Sequence, residues 1–366
     1  MNKLINIKTG GGRESKFELL RLLSMLMVLN LHSFHGYDYG SGIMQGLDWF
    51  RESTSICAVN VFIMISGYFG IKWKFRSFFN LIFQLLFYSF AVYGVCVALG
   101  IFSFEMSSFL SCFKATNSSW GFITCYLGIY LMAPLLNTFV QQSSSRELFI
   151  YLLCLFMGCN FLIPAYGGIL NYFLVYLIGG WMKKSQAVQT FKLPAVKCYW
   201  TVTLLIFVLS YSLYRYLHFD AVRMCTFFLG YSYNSPFIIL QAMFLFLVFG
   251  RIQLQSRFVN WCAASCFSIF LIHMHPAIKH IGYYHFTESL YALPFLEHAG
   301  ILILLVAGIF MGSILIDKIR IYLSTFVYNL ICSFYMRLPY GWADTCIFEK
   351  LELKCLTKVK QNRKYK

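Results

Sequence analysis

Long apolar stretches recur from one end of the sequence to the other, at 17–36, 53–71, 78–102, 119–140, 147–164, 168–183, 197–217, 235–250, 263–281 and 298–320. Most are close to the ~20 residues that carry an α-helix across the ~30 Å hydrocarbon core of a bilayer. No water reaches that core, so the backbone N–H and C=O groups of each segment must be satisfied within the segment. The sequence therefore predicts an all-α polytopic membrane protein, a helical bundle of about ten transmembrane helices. Charge supports this. Only 12% of the 366 residues are charged and 59% are hydrophobic, whereas a soluble domain carries about 25% charged residues. The fifth and sixth stretches are separated only by 164–168, with the sequence PAYGG.

The distribution of basic residues predicts which way the bundle faces. The chain has 30 Lys plus Arg against 14 Asp plus Glu. With the N-terminus inside, 25 basic residues fall on inner segments and five on outer loops, namely Arg51, Lys114, Arg215, Arg223 and Lys279. That bias predicts an even number of spans and both termini in the cytoplasm. Because the basic residues flank apolar segments, they are expected at lipid headgroups, and nucleic acid is not an expected partner. The first stretch follows a leader carrying Lys3, Lys8, Arg13 and Lys16, shows no small-x-small cleavage site, and reads as a retained first span. The expected organisation is a basic cytoplasmic leader over 1–16, a transmembrane domain over 17–323 and a basic cytoplasmic tail over 324–366 near anionic lipid. Outer loops at 37–52, 103–118, 215–234 and 282–297 are long enough to shape a substrate entrance. The 13 cysteines include no C-x-x-C pair, and most sit inside apolar stretches. They read as small apolar side chains, with no metal expected.

Ionisable groups inside a membrane span are costly and ask for a reason. The first span holds Arg21 and His32, eleven residues apart. At about 100° per residue this is three turns plus ~20°, so both side chains share one face, separated along the axis by about 16 Å. A helix that turns this face inward lines a path from the inner surface towards the outer half of the membrane. His35 follows His32 by one turn and is an alternative base. His273 can face the same cavity, whereas His275, just before Pro276, is expected to shape a helix terminus. Gln241 and Asn171 read as interhelical hydrogen-bond formers, and Trp49, Phe50, Tyr37 and Tyr39 as interface anchors.

The Arg21-x10-His32 spacing resembles the signature of the membrane acyltransferase type 3 family, integral-membrane O-acyltransferases that modify cell-surface carbohydrates. Three further stretches are similar to that family: Asn60 to Phe69 (NVFIMISGYF), followed by the basic segment Lys72 to Arg76; Trp120 to Pro134 (WGFITCYLGIYLMAP); and Ser268 to His273 (SIFLIH). The resemblance covers about 15–320. It implies transfer of an acyl group, usually acetyl, from cytoplasmic acyl-coenzyme A (acetyl-CoA in the usual case) to a hydroxyl of a polysaccharide or its lipid-linked precursor, in a bacterial inner membrane. It further implies His32 as general base or transient acyl carrier, with Arg21, Lys72, Lys74 and Arg76 near the coenzyme A phosphates. Asn60, Ser66, Trp120, Tyr126 and His273 are the candidates for substrate contact or oxyanion stabilisation. The chain departs from one branch of the family in having no acid between Gly121 and Tyr130, which points to stand-alone sugar-modifying relatives. The alternative reading is a transporter or flippase of a lipid-linked glycan. Internal inverted repeats would favour it, and none is visible.

Overall fold

A computed structural model describes residues 14–35, 42–114, 120–162, 168–216 and 233–335. The leader through Arg13, Tyr37 and Tyr39, residues 163–167, most of 215–234 with Arg223, and the residues beyond 335 lie outside the described residues. Every regular element among the described residues is helical. The main helices are α1 (Ser15–His32), α2 (Gly42–Ser55), α3 (Ala58–Phe69), α4 (Phe75–Ala98), α5 (Met106–Ser111), α6 (Gly121–Gln142), α7 (Ser145–Met157) and α8 (Ile169–Lys184). The short α9 (Ala187–Thr190) leads to α10 (Ala195–Tyr216), α11 (Pro236–Gly250), α12 (Arg257–Ala263), α13 (Cys266–His273), α14 (His285–Ser289) and α15 (Phe295–Tyr335). Among the described residues, five helices are long and apolar enough to cross a membrane: 42–69 taken across its break, Phe75–Ala98, Gly121–Gln142, Ala195–Tyr216 and 295–331. The chain is a helical membrane protein.

The first helix, α1, packs against α3, α11, α12 and α13 and forms the centre of the bundle. At its start Phe17 lies against Tyr68, Phe69 and Phe246. Basic side chains gather at this end and close helix C-termini, whose last carbonyls have no partner within the helix. Lys16 Nζ donates to the Gly250 carbonyl at 2.9 Å, and Lys184 Nζ donates to those of Val140 and Gln141 at 2.7 and 2.9 Å. Arg251 donates to the Phe191 carbonyl, and Lys318 to that of Trp261 at 2.6 Å. Four of the basic side chains, Lys16, Lys184, Arg251 and Lys318, therefore close helix ends.

Three features differ from the sequence expectation. First, the segment expected as an outer loop at 37–52 is helical from Gly42, and the second apolar stretch is broken at Ile56 and Cys57. Hydropathy hides α2 because it carries Asp48, Arg51 and Glu52. These charges are held inside the protein: Arg51 donates to Asp48 at 3.1 Å, to Asn30 Oδ1 at 2.7 Å and to Ser33 Oγ at 2.5 Å, and Tyr291 donates to Asp48. Second, the ninth stretch does not continue as an α-helix through 281. It stops at His273 and re-forms as a π-helical turn, Lys279–Tyr284. Third, α15 runs on past the apolar stretch that ends at 320, as far as Tyr335. Within it Arg320 is a buried residue and not a headgroup contact. Its guanidinium donates twice to Asp317, at 2.9 and 2.8 Å, and Tyr88 donates to the same carboxylate at 2.9 Å.

The tightest crossing is between α3 and α8. A Cβ at Gly67 would sit 1.9 Å from the Tyr176 carbonyl oxygen, and one at Gly179 would sit 2.2 Å from that of Met64. Small residues let helix backbones approach in lipid, where no hydrophobic effect drives helices together. Here the obstacle to a side chain is backbone, which cannot move aside as a flexible side chain can. Gly67→Ala and Gly179→Ala are each expected to destabilise the protein by at least the ~1–3 kcal/mol typical of overpacking. Gly94→Ala, which meets nothing within 4 Å, is expected to leave stability unchanged or slightly raised. Thermal unfolding of the purified protein in detergent checks the contrast.

Candidate active site

His32 ends α1 and His273 ends α13, and the packing of these two helices brings the rings together. His32 Nδ1 lies 2.9 Å from His273 Nε2, and His273 Nδ1 lies 2.6 Å from the Ile269 carbonyl oxygen. These two contacts determine where the protons are. A carbonyl can only accept, so His273 Nδ1 carries hydrogen. In the neutral ring Nε2 is then an acceptor, and His32 Nδ1 must donate to it. The remaining nitrogen, His32 Nε2, is left with its lone pair and no hydrogen-bond partner among the described residues. The backbone of α13 thus selects, through one intervening imidazole, the tautomer that makes His32 Nε2 basic. The π-helical turn covers the pair: the Tyr283 ring is 5.4 Å from that of His273, the Tyr284 ring 6.2 Å from that of His32, and Lys279 lies over Tyr284. Single π turns recur at functional sites.

His32 lines a cavity of about 180 Å³. Along α1 its wall is Ser24, Met25, Val28, Leu31 and His32, the stripe that a helical period of 3.6 draws between Arg21 and His32. The opposite wall is largely aromatic, with Phe62, Phe122, Tyr172, Tyr233 and Phe270. Tyr172 and Tyr233 bring the only phenolic hydroxyls among these lining residues, and no described residue hydrogen-bonds either one. Nothing in the sequence distinguished these two tyrosines from the chain's other 23. They come from α8 and from the turn before α11, and only the packed bundle brings them opposite His32.

The other expected site residues are distributed as follows. Arg21 is about 16 Å along α1 from His32, with Nη1 donating to Glu18 at 2.6 Å. Lys72, Lys74 and Arg76 lie at the same end of the bundle, exposed, with the Arg76 guanidinium 5.2 Å from the Tyr328 ring centre. Asn60 Nδ2 donates to the Tyr233 carbonyl at 2.9 Å and so braces the cavity wall. Ser66 bonds back to Phe62 within α3 and does not line the cavity. Tyr126 stacks on Phe122 behind the wall. Trp120 lies edge-on to His275 at 5.5 Å, outside the His32 cavity. His275 has both nitrogens engaged: Nδ1 accepts from Ala277 N–H at 3.1 Å, and Nε2 donates to the Ser89 carbonyl at 3.3 Å. His35 is not on α1, which ends at His32. Its Nε2 meets Thr287 Oγ1 at 2.9 Å; that hydroxyl is itself directed at the carbonyls of Tyr283 and Tyr284, so the ring donates. Gln241 Nε2 bridges helices, donating to the Ser53 carbonyl and to Thr203 Oγ1. Among the described residues no three His, Cys, Asp or Glu converge as they would around a metal ion.

Such a site can take a proton at His32 Nε2, offer two phenolic donors across a small apolar cavity, and present cations at one end of the bundle. A family model described as an acyltransferase domain matches residues 14–318. Comparison with curated proteins and with solved structures gave no match.

The proton assignment is testable without any activity. Histidine ¹⁵N spectra of the wild-type protein are expected to show His32 and His273 both as the Nδ1–H tautomer. In His273→Phe the His32 ring loses its acceptor and is expected to shift towards the Nε2–H form that free imidazole favours. An unchanged His32 signal in that variant would break the proton chain.

Proposed function

The chain belongs to the membrane acyltransferase type 3 family, and we propose that it moves a short acyl group, acetyl in the simplest case, from acyl-coenzyme A to a hydroxyl of a surface polysaccharide or its lipid-linked precursor. In this reading the bundle crosses a bacterial inner membrane ten times, with both termini and the basic end in the cytoplasm. Arg21 with Lys72, Lys74 and Arg76 meets the coenzyme A phosphates there, guanidinium and ammonium groups both being effective phosphate partners.

The observation that carries the reading is the chain of hydrogen bonds from the Ile269 carbonyl through His273 to His32. An acyl transfer needs a base at the attacking hydroxyl. His32 Nε2 takes the hydroxyl proton as the hydroxyl oxygen bonds to the thioester carbonyl carbon. The carbonyl oxygen becomes an oxyanion, to which the Tyr172 and Tyr233 hydroxyls can donate. Collapse breaks the carbon–sulfur bond, and the coenzyme A thiolate leaves with the proton returned by His32. The alternative course uses the same atom: Nε2 attacks the thioester carbon and the carbon–sulfur bond breaks to release the coenzyme A thiolate; the hydroxyl oxygen then takes the acyl group as the carbon–nitrogen bond breaks, and the freed Nε2 receives the hydroxyl proton and passes it to the thiolate. In either course His273 steadies the His32 ring and its Nδ1–H bond strengthens as the ring gains charge, much as a buried partner steadies the histidine of a hydrolytic triad. The small apolar cavity supports a short acyl group over a long chain.

Mass spectrometry of surface polysaccharide from cells with and without the protein is expected to show an acetyl-sized difference. His32→Ala is expected to abolish it while the protein still reaches the membrane, since positioned acid–base catalysis contributes about 10²–10⁴-fold. Normal acylation by His32→Ala would overturn the mechanism, and an unchanged glycan mass with altered export would favour a transporter. Arg21→Lys keeps the charge but loses the planar fork. It is expected to raise KM for acyl-coenzyme A with a smaller effect on kcat.

A further inference from the structure

The His32 cavity extends along α1 from Ser24 to His32, about 12 Å at the helical rise. Ser24 is at the end nearer Arg21, so a coenzyme A arm held at the basic end enters there and brings its thioester to His32 Nε2. Whatever the acyl group carries beyond its carbonyl carbon must then fit between His32 and the aromatic wall. The whole cavity is about 180 Å³, close to the ~150 Å³ of an engineered apolar cavity that holds one benzene molecule. That space takes a thioester with a short chain. None of the lining residues is Lys, Arg, Asp or Glu, so a carboxylate at the far end of an acyl group would enter without a partner.

One ring governs how far the wall stands from the base. The Phe270 ring is 6.3 Å from that of His32, and the Phe122 ring is 5.4 Å from that of Phe270. Phe122 also meets two other lining rings, Phe62 at 5.9 Å and Tyr172 at 6.1 Å, and so sits at the middle of the wall. Phe270 and Tyr172 are buried, whereas Phe122 is half-buried and keeps surface for a ligand. Behind it Tyr126 stacks at 6.0 Å and Phe267 lies 6.3 Å away, and neither of these lines the cavity. The ring is clamped from behind. Protein interiors are close-packed and yield little, so a longer acyl chain meets a fixed surface.

We propose that Phe122 sets the length of the acyl group, its ring closing the cavity across from His32 so that an acetyl or propionyl group fits and longer or charged groups do not. The proposal rests on the acyl-transfer reading and adds the residue that selects the donor. Phe122 touches the acyl chain and handles no proton, so it decides which thioester reacts and leaves the chemistry to His32. Its signature is a difference between donors, because an apolar pocket discriminates through a methylene that does or does not fit.

Membranes from cells producing the full chain, which carry the native acceptor, are incubated with acetyl-, propionyl-, butyryl- or hexanoyl-coenzyme A. Thiol release and the mass added to glycan are both measured. The wild type is expected to use acetyl and propionyl donors, with kcat/KM falling about 10–200-fold for each methylene that does not fit. Phe122→Leu shortens the side chain and is expected to lower the acetyl-to-butyryl ratio at least about tenfold. Phe122→Trp enlarges it and is expected to shift the ratio the other way, with propionyl lost first. Phe267→Leu, altered behind the wall, is expected to keep the wild-type ratio. A variant that merely loosens the fold slows all donors alike, so the ratio separates selection from packing. Wild-type transfer with one donor ranking in both Phe122 variants overturns the proposal and leaves the acyl-transfer reading in place. An equal shift in Phe267→Leu overturns the assignment to Phe122. No thiol release and no added mass with any donor removes the reading, and the proposal with it.

Discussion

Lipid offers no hydrogen bonds, so every polar group carried into the bundle must find its partner in the protein or go without one. Most of this fold can be derived from that constraint. It makes the backbone helical and closes helix ends with lysine and arginine side chains at the basic end. It also explains why the charges of α2 and α15 occur as ion pairs three residues apart, Arg51 with Asp48 and Arg320 with Asp317, each joined by a tyrosine hydroxyl from elsewhere in the chain. His32 Nε2 and the hydroxyls of Tyr172 and Tyr233 have no hydrogen-bond partner among the described residues, and all three residues line one cavity.

The same constraint separates the catalytic reading from a carrier for a lipid-linked glycan. A carrier could use the crossing helices and the cavity equally well. It has no need for a histidine whose tautomer is fixed through a second histidine by a backbone carbonyl. That arrangement has a chemical consequence, a basic nitrogen at a defined place, and no evident consequence for passage of a solute.

The helical membrane class was legible in the sequence because apolar length is a one-dimensional property. So was the shared face of Arg21 and His32, because helical period alone decides it; Ser24, Met25, Val28 and Leu31 fill that stripe in the folded chain. What escaped the sequence depends on tertiary partners. The helix from Gly42 was hidden by charges whose partners, Asn30, Ser33 and Tyr291, are distant in the chain. The stop at His273 and the π turn after it were hidden because an apolar run does not state which helix type it adopts. Helix α15 outruns its apolar stretch because a helix can pass from lipid to water without a break signal, and the next proline is Pro339. Trp120, a candidate for substrate contact or oxyanion stabilisation from its motif, lines a different cavity from His32.

Two arginine pairs, one half-buried and one buried, illustrate why Arg21, and not Arg320, would suit a phosphate-bearing donor. Both arginines face an acid three residues earlier on the same helix. Asp317 engages Arg320 through Nε and Nη2 together, in a site where the arginine is 5% exposed. That fork is closed, and opening it would strand a carboxylate among apolar side chains. Glu18 holds Arg21 through Nη1 alone. A guanidinium has five N–H donors, so Arg21 keeps most of its fork for another anion without giving up Glu18. The acid then aims the side chain while leaving its edge open. The helical spacing is the same in the two pairs; the difference lies in the acid, a glutamate or an aspartate, and in how many donors it occupies.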